Sequence, residues 1–239
     1  MRIRVRFSKL GKVRFTSHRD VARIWERVFR KAALPVAYSE GFSPRPRLAF
    51  GLALPTGAES LAEYVDIELA EERPIDGLAG LLTDAMPVGF TVTVVEPVER
   101  SAPSLQEDVV TCTWQVTVRD RDLAALAAAV ERVNAADSLP LSRERKGESR
   151  VDDLRPAIES LTVDAAAVVP TMTAVLATRP RGMRPGELLA VCFPDEQNPA
   201  DLAARVLRTH QWIERDGARR ELLPLASAGA PRTGIPVGA

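Results

Sequence analysis

The segment Arg2-Ile3-Arg4-Val5-Arg6-Phe7 alternates basic and apolar side chains, which predicts a β-strand with one buried face. Residues 64–69 repeat this alternation with Asp66 and Glu68 in place of the arginines. In a ferredoxin-like β-α-β-β-α-β domain the first and third strands are central neighbours. We therefore expect the two acids to pair with the strand arginines across one face of the sheet.

The elements around these two strands follow the same order. Apolar residues from Val21 to Phe29 recur at helical spacing and predict a helix over residues 18–33, which Ser17 and Asp20 begin with the spacing of a capping box. The other elements predicted in this half are strands at 48–54, 64–69 and 90–94 and a helix at 75–86. Residues 1–98 are thus predicted to form a ferredoxin-like domain.

A linker is predicted over residues 99–108, and a second, more degenerate ferredoxin-like domain over 109–216. The fold class that we predict is therefore α+β, with two ferredoxin-like units in tandem. Its predicted elements include strands at 110–118 and 168–178, a helix at 121–135, and a helix from 199 to about 214 that Asn198 caps. The Pro, Gly and Ala content of residues 217–239 predicts a disordered tail.

The composition is that of a cytoplasmic protein. An apolar content of 46% in 239 residues is enough for a substantial core. No apolar run reaches the roughly 18 residues needed to cross a bilayer, and the Arg-rich start lacks a signal-peptide core, so we expect no membrane partner. Two distant cysteines predict no disulfide framework.

The sequence lacks the patterns of the common catalytic centres. A radical SAM enzyme needs three closely spaced cysteines for its iron–sulfur cluster, whereas only Cys112 and Cys192 are present. These cysteines and the histidines His18 and His210 match no zinc-ligand spacing. Phosphate-binding and nucleophile-elbow motifs are also missing. We therefore expect no cofactor and no metal, and a protein that is not itself the radical enzyme.

The charge distribution points to an anionic partner. The first fifty residues carry thirteen Lys or Arg and three acids, whereas the next fifty carry two Arg and ten acids. Clustered cations gain free energy by displacing counterions from phosphate. The strand arginines are expected to pair internally. The candidate anion- or RNA-binding residues are therefore the arginines of the first helix and of the loop that contains Pro44, Arg45, Pro46 and Arg47, which we call the Pro/Arg loop. These are Arg19, Arg23, Arg27, Arg30, Arg45 and Arg47.

Each of these groups also has a structural interpretation. The helix arginines are equally the solvated face of an amphipathic helix, and the loop, which Pro44 and Pro46 stiffen, can pack on its own domain. A second basic patch is predicted between Arg143 and Arg150. Because acids are interspersed among its cations, a solvated turn is an equally good interpretation of this stretch. Its residues are Arg143, Arg145, Lys146 and Arg150.

Several stretches resemble the uncharacterised radical-SAM-linked protein family. The residues that carry the resemblance are Arg14-Phe15-Thr16-Ser17-His18-Arg19-Asp20, residues 34–47, Phe50-Gly51 and residues 54–60. The resemblance covers about residues 1–100. Members of that family are fused to, or encoded beside, a cobalamin-binding radical SAM protein. The resemblance therefore implies such a protein as a partner and implies no established activity.

Three functions are consistent with these observations. The preferred hypothesis is a non-catalytic RNA-binding accessory protein that works with a radical SAM enzyme in RNA modification or maturation. The second is a metal-independent endoribonuclease similar in layout to CRISPR repeat-processing enzymes, with His18 as general base and Arg45 or Arg47 steadying the phosphate. The third is a protein–protein adaptor that binds an acidic surface of the radical SAM partner.

Overall fold

The computed structural model describes residues 1–99, 101–145, 148–180 and 182–225. Within these ranges the chain is a mixed α/β protein with one large, mostly antiparallel sheet and five helices. The helices are α1 (His18–Lys31), α2 (Leu78–Ala85), α3 (Leu105–Asp108), α4 (Leu123–Ala135) and α5 (Pro185–Cys192). The strands are β1 (Arg2–Lys9), β2 (Leu48–Phe50), β3 (Glu59–Glu68), β4 (Phe90–Pro97), β5 (Val109–Val118), β6 (Pro140–Arg145), β7 (Glu148–Asp153), β8 (Ile158–Val163), β9 (Thr171–Ala177), β10 (Ala203–Arg215) and β11 (Ala218–Glu221).

The strands of the large sheet lie in the order β4-β1-β3-β10-β5-β9-β8, with β2 paired to β3 and β11 paired to β10. Strands β3 and β10 are parallel and meet at Glu59 and Ser60, whereas β2 occupies the same edge of β3 from Val65 to Ile67. The other pairs are antiparallel, and β6 and β7 form a separate hairpin. The sheet is therefore continuous from one half of the chain to the other through β10.

Two clusters of buried apolar residues cover this sheet. In the first, α1 and α2 pack on β1, β3 and β4, and the fully buried Trp25 meets Phe7 edge-to-face with the ring centroids 5.3 Å apart. In the second, α4 and α5 pack on β5 and β9 around Leu126 and Met172. The stretch predicted as a linker contains α3, whose Leu105 is buried in the second cluster.

The predicted charge pairing between β1 and β3 is confirmed at Asp66. Arg2 and Arg4 each donate two hydrogen bonds to its carboxylate, and the shortest from each is 2.7 Å. Glu68 differs from the prediction, because it lies at the exposed end of β3 and pairs with Arg47 of the Pro/Arg loop. The guanidinium groups of Arg2 and Arg4 are therefore occupied by Asp66 and are not free to bind a ligand.

Arg6, the third arginine of β1, has a partner that is distant in the sequence. It donates to the Leu223 carbonyl at 2.8 Å and pairs with the Glu221 carboxylate at 3.0 Å. Because Arg6 is 1% exposed, its charge requires these partners, and they hold β11 and the residues after it on the sheet. The predicted disordered tail is therefore wrong for Ala218–Glu221, and residues 226–239 lie outside the described ranges.

The predicted helix from 199 to about 214 is also wrong. Only one 3₁₀ turn, Pro199–Leu202, follows Asn198, and β10 then runs through the centre of the sheet between β3 and β5. A central strand that is covered on both faces has no need of a strict polar alternation, which is the signal of a half-buried strand. Branched and aromatic residues such as Thr209, Trp212 and Ile213 favour the extended conformation.

In the part of the chain that is described, α1 is the longest helix at 14 residues, and no helix combines the length and apolarity that a membrane crossing requires.

Candidate nucleic-acid interface

Helix α1 carries the first group of candidate residues. The Ser17 hydroxyl accepts the amide of Asp20 at 3.2 Å and donates to its carboxylate at 2.7 Å, which confirms the predicted cap. This side-chain hydrogen bond is the main cause that lowers the pKa of Asp20. The buried face of α1 packs on the sheet, so its arginines face solvent. The exposed arginines are Arg19, Arg23, Arg27 and Arg30.

Most of the positive charge on this helix face is unneutralised. Arg23 pairs with Asp20 at 3.3 Å, and this pair is itself exposed. Among the described residues, Arg19, Arg27 and Arg30 form no salt bridge. Their charges are therefore free to interact with an anionic ligand.

An open groove of about 530 Å³ runs along the start of α1. We call it the α1 groove, and it is lined by Lys12, Phe15, Thr16, Asp20, Arg23, Ile24 and Arg27. It brings two of the predicted arginines together with a lysine and an aromatic ring that sequence reasoning missed. The signal that points to it is the run Lys12-Val13-Arg14-Phe15, in which basic and apolar residues alternate directly before the helix cap.

The 3₁₀ turn Gly11–Phe15 forms one wall of the α1 groove and is anchored on both sides. The buried Lys9 ammonium donates to the Thr16 carbonyl at 2.8 Å, and burial lowers the pKa of Lys9. The Gly57 amide donates to the Arg14 carbonyl at 2.9 Å, and the Gly11 amide donates to the Glu59 carboxylate. The wall is consequently held in place before any ligand arrives.

The Pro/Arg loop is a second, separate feature. Residues 38–47 turn back on themselves, because the Ser39 amide donates to the Arg45 carbonyl at 2.9 Å and the Arg45 amide donates to the Ser39 hydroxyl at 3.0 Å. We call this segment the Phe42 hairpin, since Phe42 at its tip is fully exposed. Gly41 beside it has φ +119°, a conformation that few residues other than glycine adopt.

The two arginines of the Phe42 hairpin differ in their environment. Arg45 is exposed and has no salt bridge within the described ranges. Arg47 pairs with Glu68 at 3.1 Å and borders a different cavity, of about 300 Å³, with Met1, Arg2 and Leu69. The structure therefore brings Arg23 and Arg27 together in one groove, whereas Arg47 borders another cavity.

Of the second predicted basic patch, the structure describes the side chains of Arg143 and Arg150, and both lie near acids of the chain. Arg143 pairs with Glu187 of α5 at 2.6 Å and donates to the Gly182 carbonyl at 3.0 Å, so it holds the β6–β7 hairpin against the start of α5. Arg150 is exposed and lies 3.7 Å from Asp152. Lys146 and the side chain of Arg145 lie outside the described residues.

His18, the candidate base of the endoribonuclease hypothesis, is exposed at the first turn of α1. Its ring meets Phe50 edge-to-face, with the centroids 5.0 Å apart, and borders a cavity of about 20 Å³ beside Lys9 and Glu63. That volume is enough for about one water molecule. The endoribonuclease function stays a prediction.

Fold and surface together define a mixed α/β protein that, within its described residues, carries exposed cations without salt bridges on α1 and on the Phe42 hairpin. Residues 2–185 match the model of a family described as an uncharacterized protein conserved in bacteria (DUF2344), and the chain belongs to that family. The matched residues include the α1 groove and the Phe42 hairpin and exclude β10. No curated protein matches this chain. The family description names neither RNA nor a radical SAM enzyme.

Proposed function

We propose that this protein is a non-catalytic RNA-binding accessory protein that works with a partner radical SAM enzyme in RNA modification or maturation. The observation that carries the proposal is the exposed face of α1, where Arg19, Arg27 and Arg30 lack acidic partners within the described chain. The contrast with β1 supports it, because Arg2 and Arg4 are neutralised by Asp66. The cations of α1, together with Arg45 of the Phe42 hairpin, are thus left to bind phosphate.

Phosphate binding by such a surface has a measurable consequence. Each phosphate that a cation neutralises releases condensed counterions, so the logarithm of the affinity falls linearly with the logarithm of the salt concentration. The slope is about 0.7 per contact for single strands and about 0.9 for duplexes. Four arginines that all contact phosphate contribute about 3 to this slope.

The test is fluorescence anisotropy with labelled tRNA and rRNA fragments between 50 and 200 mM salt, roughly the range over which such affinities change most. A variant with Arg19, Arg23, Arg27 and Arg30 changed to Gln should bind weakly and lose up to about 3 from the slope. A control for the loss of charge elsewhere changes Arg179 and Arg220, which are exposed on other parts of the chain, to Gln, and it is compared with the pair Arg27→Gln and Arg30→Gln, which also removes two charges. If no RNA binds, or if the α1 variants behave like the wild type, the proposal fails.

The link to a radical SAM enzyme rests on the resemblance carried by residues 14–20 and 34–47. Both stretches coincide with the surface features described above, since they contain Phe15, the start of α1 and the Phe42 hairpin. Co-expression with the cobalamin-binding radical SAM protein that the resemblance implies, followed by co-purification, tests this link. If the two proteins form no complex either with or without RNA, the proposed link to a radical SAM enzyme is wrong.

A second candidate function, an adaptor for that enzyme, is favoured by the Phe42 hairpin. A fully exposed phenylalanine on a hydrogen-bonded turn is a projecting apolar group, which fits a pocket on another protein. The test is a pull-down of the radical SAM partner in high salt with nuclease. The Phe42→Ala variant should no longer recover the partner. The Val88→Ala variant, which removes an exposed apolar side chain elsewhere, should still recover it. Equal recovery with both variants would exclude this role for the hairpin.

The proposed architecture behind either function is a tandem of two ferredoxin-like units. Strands β4-β1-β3 with β2 on β3 support the first unit, and the order β10-β5-β9-β8 repeats that arrangement in the second half. The β6–β7 hairpin is then an insertion between α4 and β8.

A further inference from the structure

Phe15 is an exposed aromatic ring at the α1 groove. It is 62% exposed and ends the 3₁₀ turn Gly11–Phe15, in which no residue is buried. The backbone on either side is fixed by Lys9, Gly57 and Glu59, as described above. The ring is therefore presented to solvent by a rigid support.

The Phe15 ring has neighbours on one face and at one edge. The Arg14 guanidinium carbon lies 4.6 Å from the ring centroid, so a cation covers one face of the ring. Gly57, at φ +90°, lies beside the ring edge, where a Cβ atom would be 3.9 Å from Phe15 Cε1. Because these neighbours already restrict the Phe15 side chain, it loses less conformational entropy when a planar group stacks on its other face.

The walls of the α1 groove carry a net positive charge next to this ring, because three cations line it against one acid, Asp20, which pairs with Arg23. Lys12 precedes Phe15 on the 3₁₀ turn, and Arg23 and Arg27 line the groove from α1. A volume of about 530 Å³ lies within the range of about 300–1,000 Å³ that is usual for small-ligand sites. Aromatic platforms beside cationic walls are the arrangement that binds single-stranded nucleic acids, since every base has a π face and every linkage has a phosphate.

We propose that the α1 groove binds an unpaired base of single-stranded RNA, which stacks on Phe15 while the neighbouring phosphates contact Lys12, Arg23 and Arg27. This inference rests on the proposed RNA-binding function and adds the class of RNA. In an A-form duplex the bases are stacked inside the helix, so an exposed side-chain ring reaches only bases in loops, bulges or ends. The surface thus selects unpaired segments over duplexes.

The experiment uses the full chain and a single-stranded RNA of about ten nucleotides, with 2-aminopurine at one position, against the same sequence in a duplex. Wild type should change the 2-aminopurine fluorescence on binding and should prefer the single strand. Phe15→Ala should weaken single-strand binding about 5- to 150-fold, which corresponds to about 1–3 kcal/mol for one stacked base, and should abolish the fluorescence change. The salt slope should stay unchanged, because no phosphate contact is removed.

Two further variants separate stacking from charge and from folding. Phe15→Trp keeps a ring and should restore the fluorescence change, whereas Val88→Ala, an exposed apolar residue elsewhere, should bind as wild type does. Salt-dependent binding that is the same in wild type and Phe15→Ala overturns the inference and leaves the proposed function standing. If neither RNA binds to any variant, the proposed function itself fails.

Discussion

Asp66 is the acid on which the stability of the first half of the sheet depends. It is 4% exposed and accepts four hydrogen bonds from Arg2 and Arg4, at distances between 2.7 and 3.2 Å. Asp66→Asn keeps the shape of the side chain but removes its charge and turns one acceptor into a donor that faces a guanidinium. Arg4, at 6% exposed, then loses the carboxylate to which it donates both of its hydrogen bonds, and the nearest acid opposite it in the sheet is Glu96 of β4.

The expected cost follows from this burial. Removing one partner of a buried ion pair costs about 3–5 kcal/mol when the remaining charge is neither solvated nor paired, and this is the upper bound here because Glu96 lies opposite Arg4. Glu68→Gln is the matched control on the same strand. It breaks the pair with Arg47, in which both side chains are about half exposed, and such pairs contribute about 0–1 kcal/mol.

Urea unfolding at neutral pH, followed by tryptophan fluorescence and far-UV circular dichroism, measures both changes. Adding Arg4→Met to Asp66→Asn should recover at least half of the loss, since the unpaired cation is removed. A cost for Asp66→Asn no larger than that for Glu68→Gln would refute the reasoning. It would mean that the pairing seen across β1 and β3 contributes nothing to stability.

The remaining predictions concern the thiols and two glycines. Burial raises the pKa of Cys112 to about 11 and that of Cys192 to about 12, so neither should react with Ellman's reagent in the native protein at pH 8, and both should react in urea. Because unfolded thiols ionise first, the free energy of unfolding should fall as pH rises from about 9 towards 11, and this decline should be smaller in a variant with both cysteines changed to Ser. Gly89→Ala should destabilise by about 1–3 kcal/mol, because its φ is +98° and a Cβ atom would lie 2.7 Å from the Leu10 carbonyl oxygen. Gly80→Ala, in open space on α2, should instead stabilise by about 0.5–1 kcal/mol in the same urea measurement.

The elements that sequence reasoning predicted correctly are those whose signal is local. Helix α1 was expected over 18–33 and spans His18–Lys31, because Ser17 caps it and its apolar face repeats at helical spacing. The pairing of Arg2 and Arg4 with Asp66 was predictable because alternation assigns side chains to one face of each strand.

The features that escaped prediction depend on contacts between distant residues. The partner of Arg6 lies 215 residues away at Glu221, and no periodicity reports such a pairing. Phe15 is not identified as a site residue from the sequence, because the alternation over residues 12–15 is equally typical of a half-buried strand. Its exposure depends on Lys9 and Gly57, which anchor the turn from other elements.

The position of β10 has a consequence for the order in which the chain is made. Arg208 of β10 pairs with Glu63 of β3, 145 residues earlier. At about 5–20 residues per second the ribosome therefore releases β3 roughly 7–30 s before β10. During this interval Arg6 lacks Glu221, and the start of β3 around Glu59 and Ser60 is an open edge, whereas β2 already covers Val65 to Ile67; this short open edge is a template for pairing with other nascent chains. Completion of the sheet is therefore a late, non-local event, and we expect folding in the cell to be limited by the arrival of β10 and not by the formation of α1.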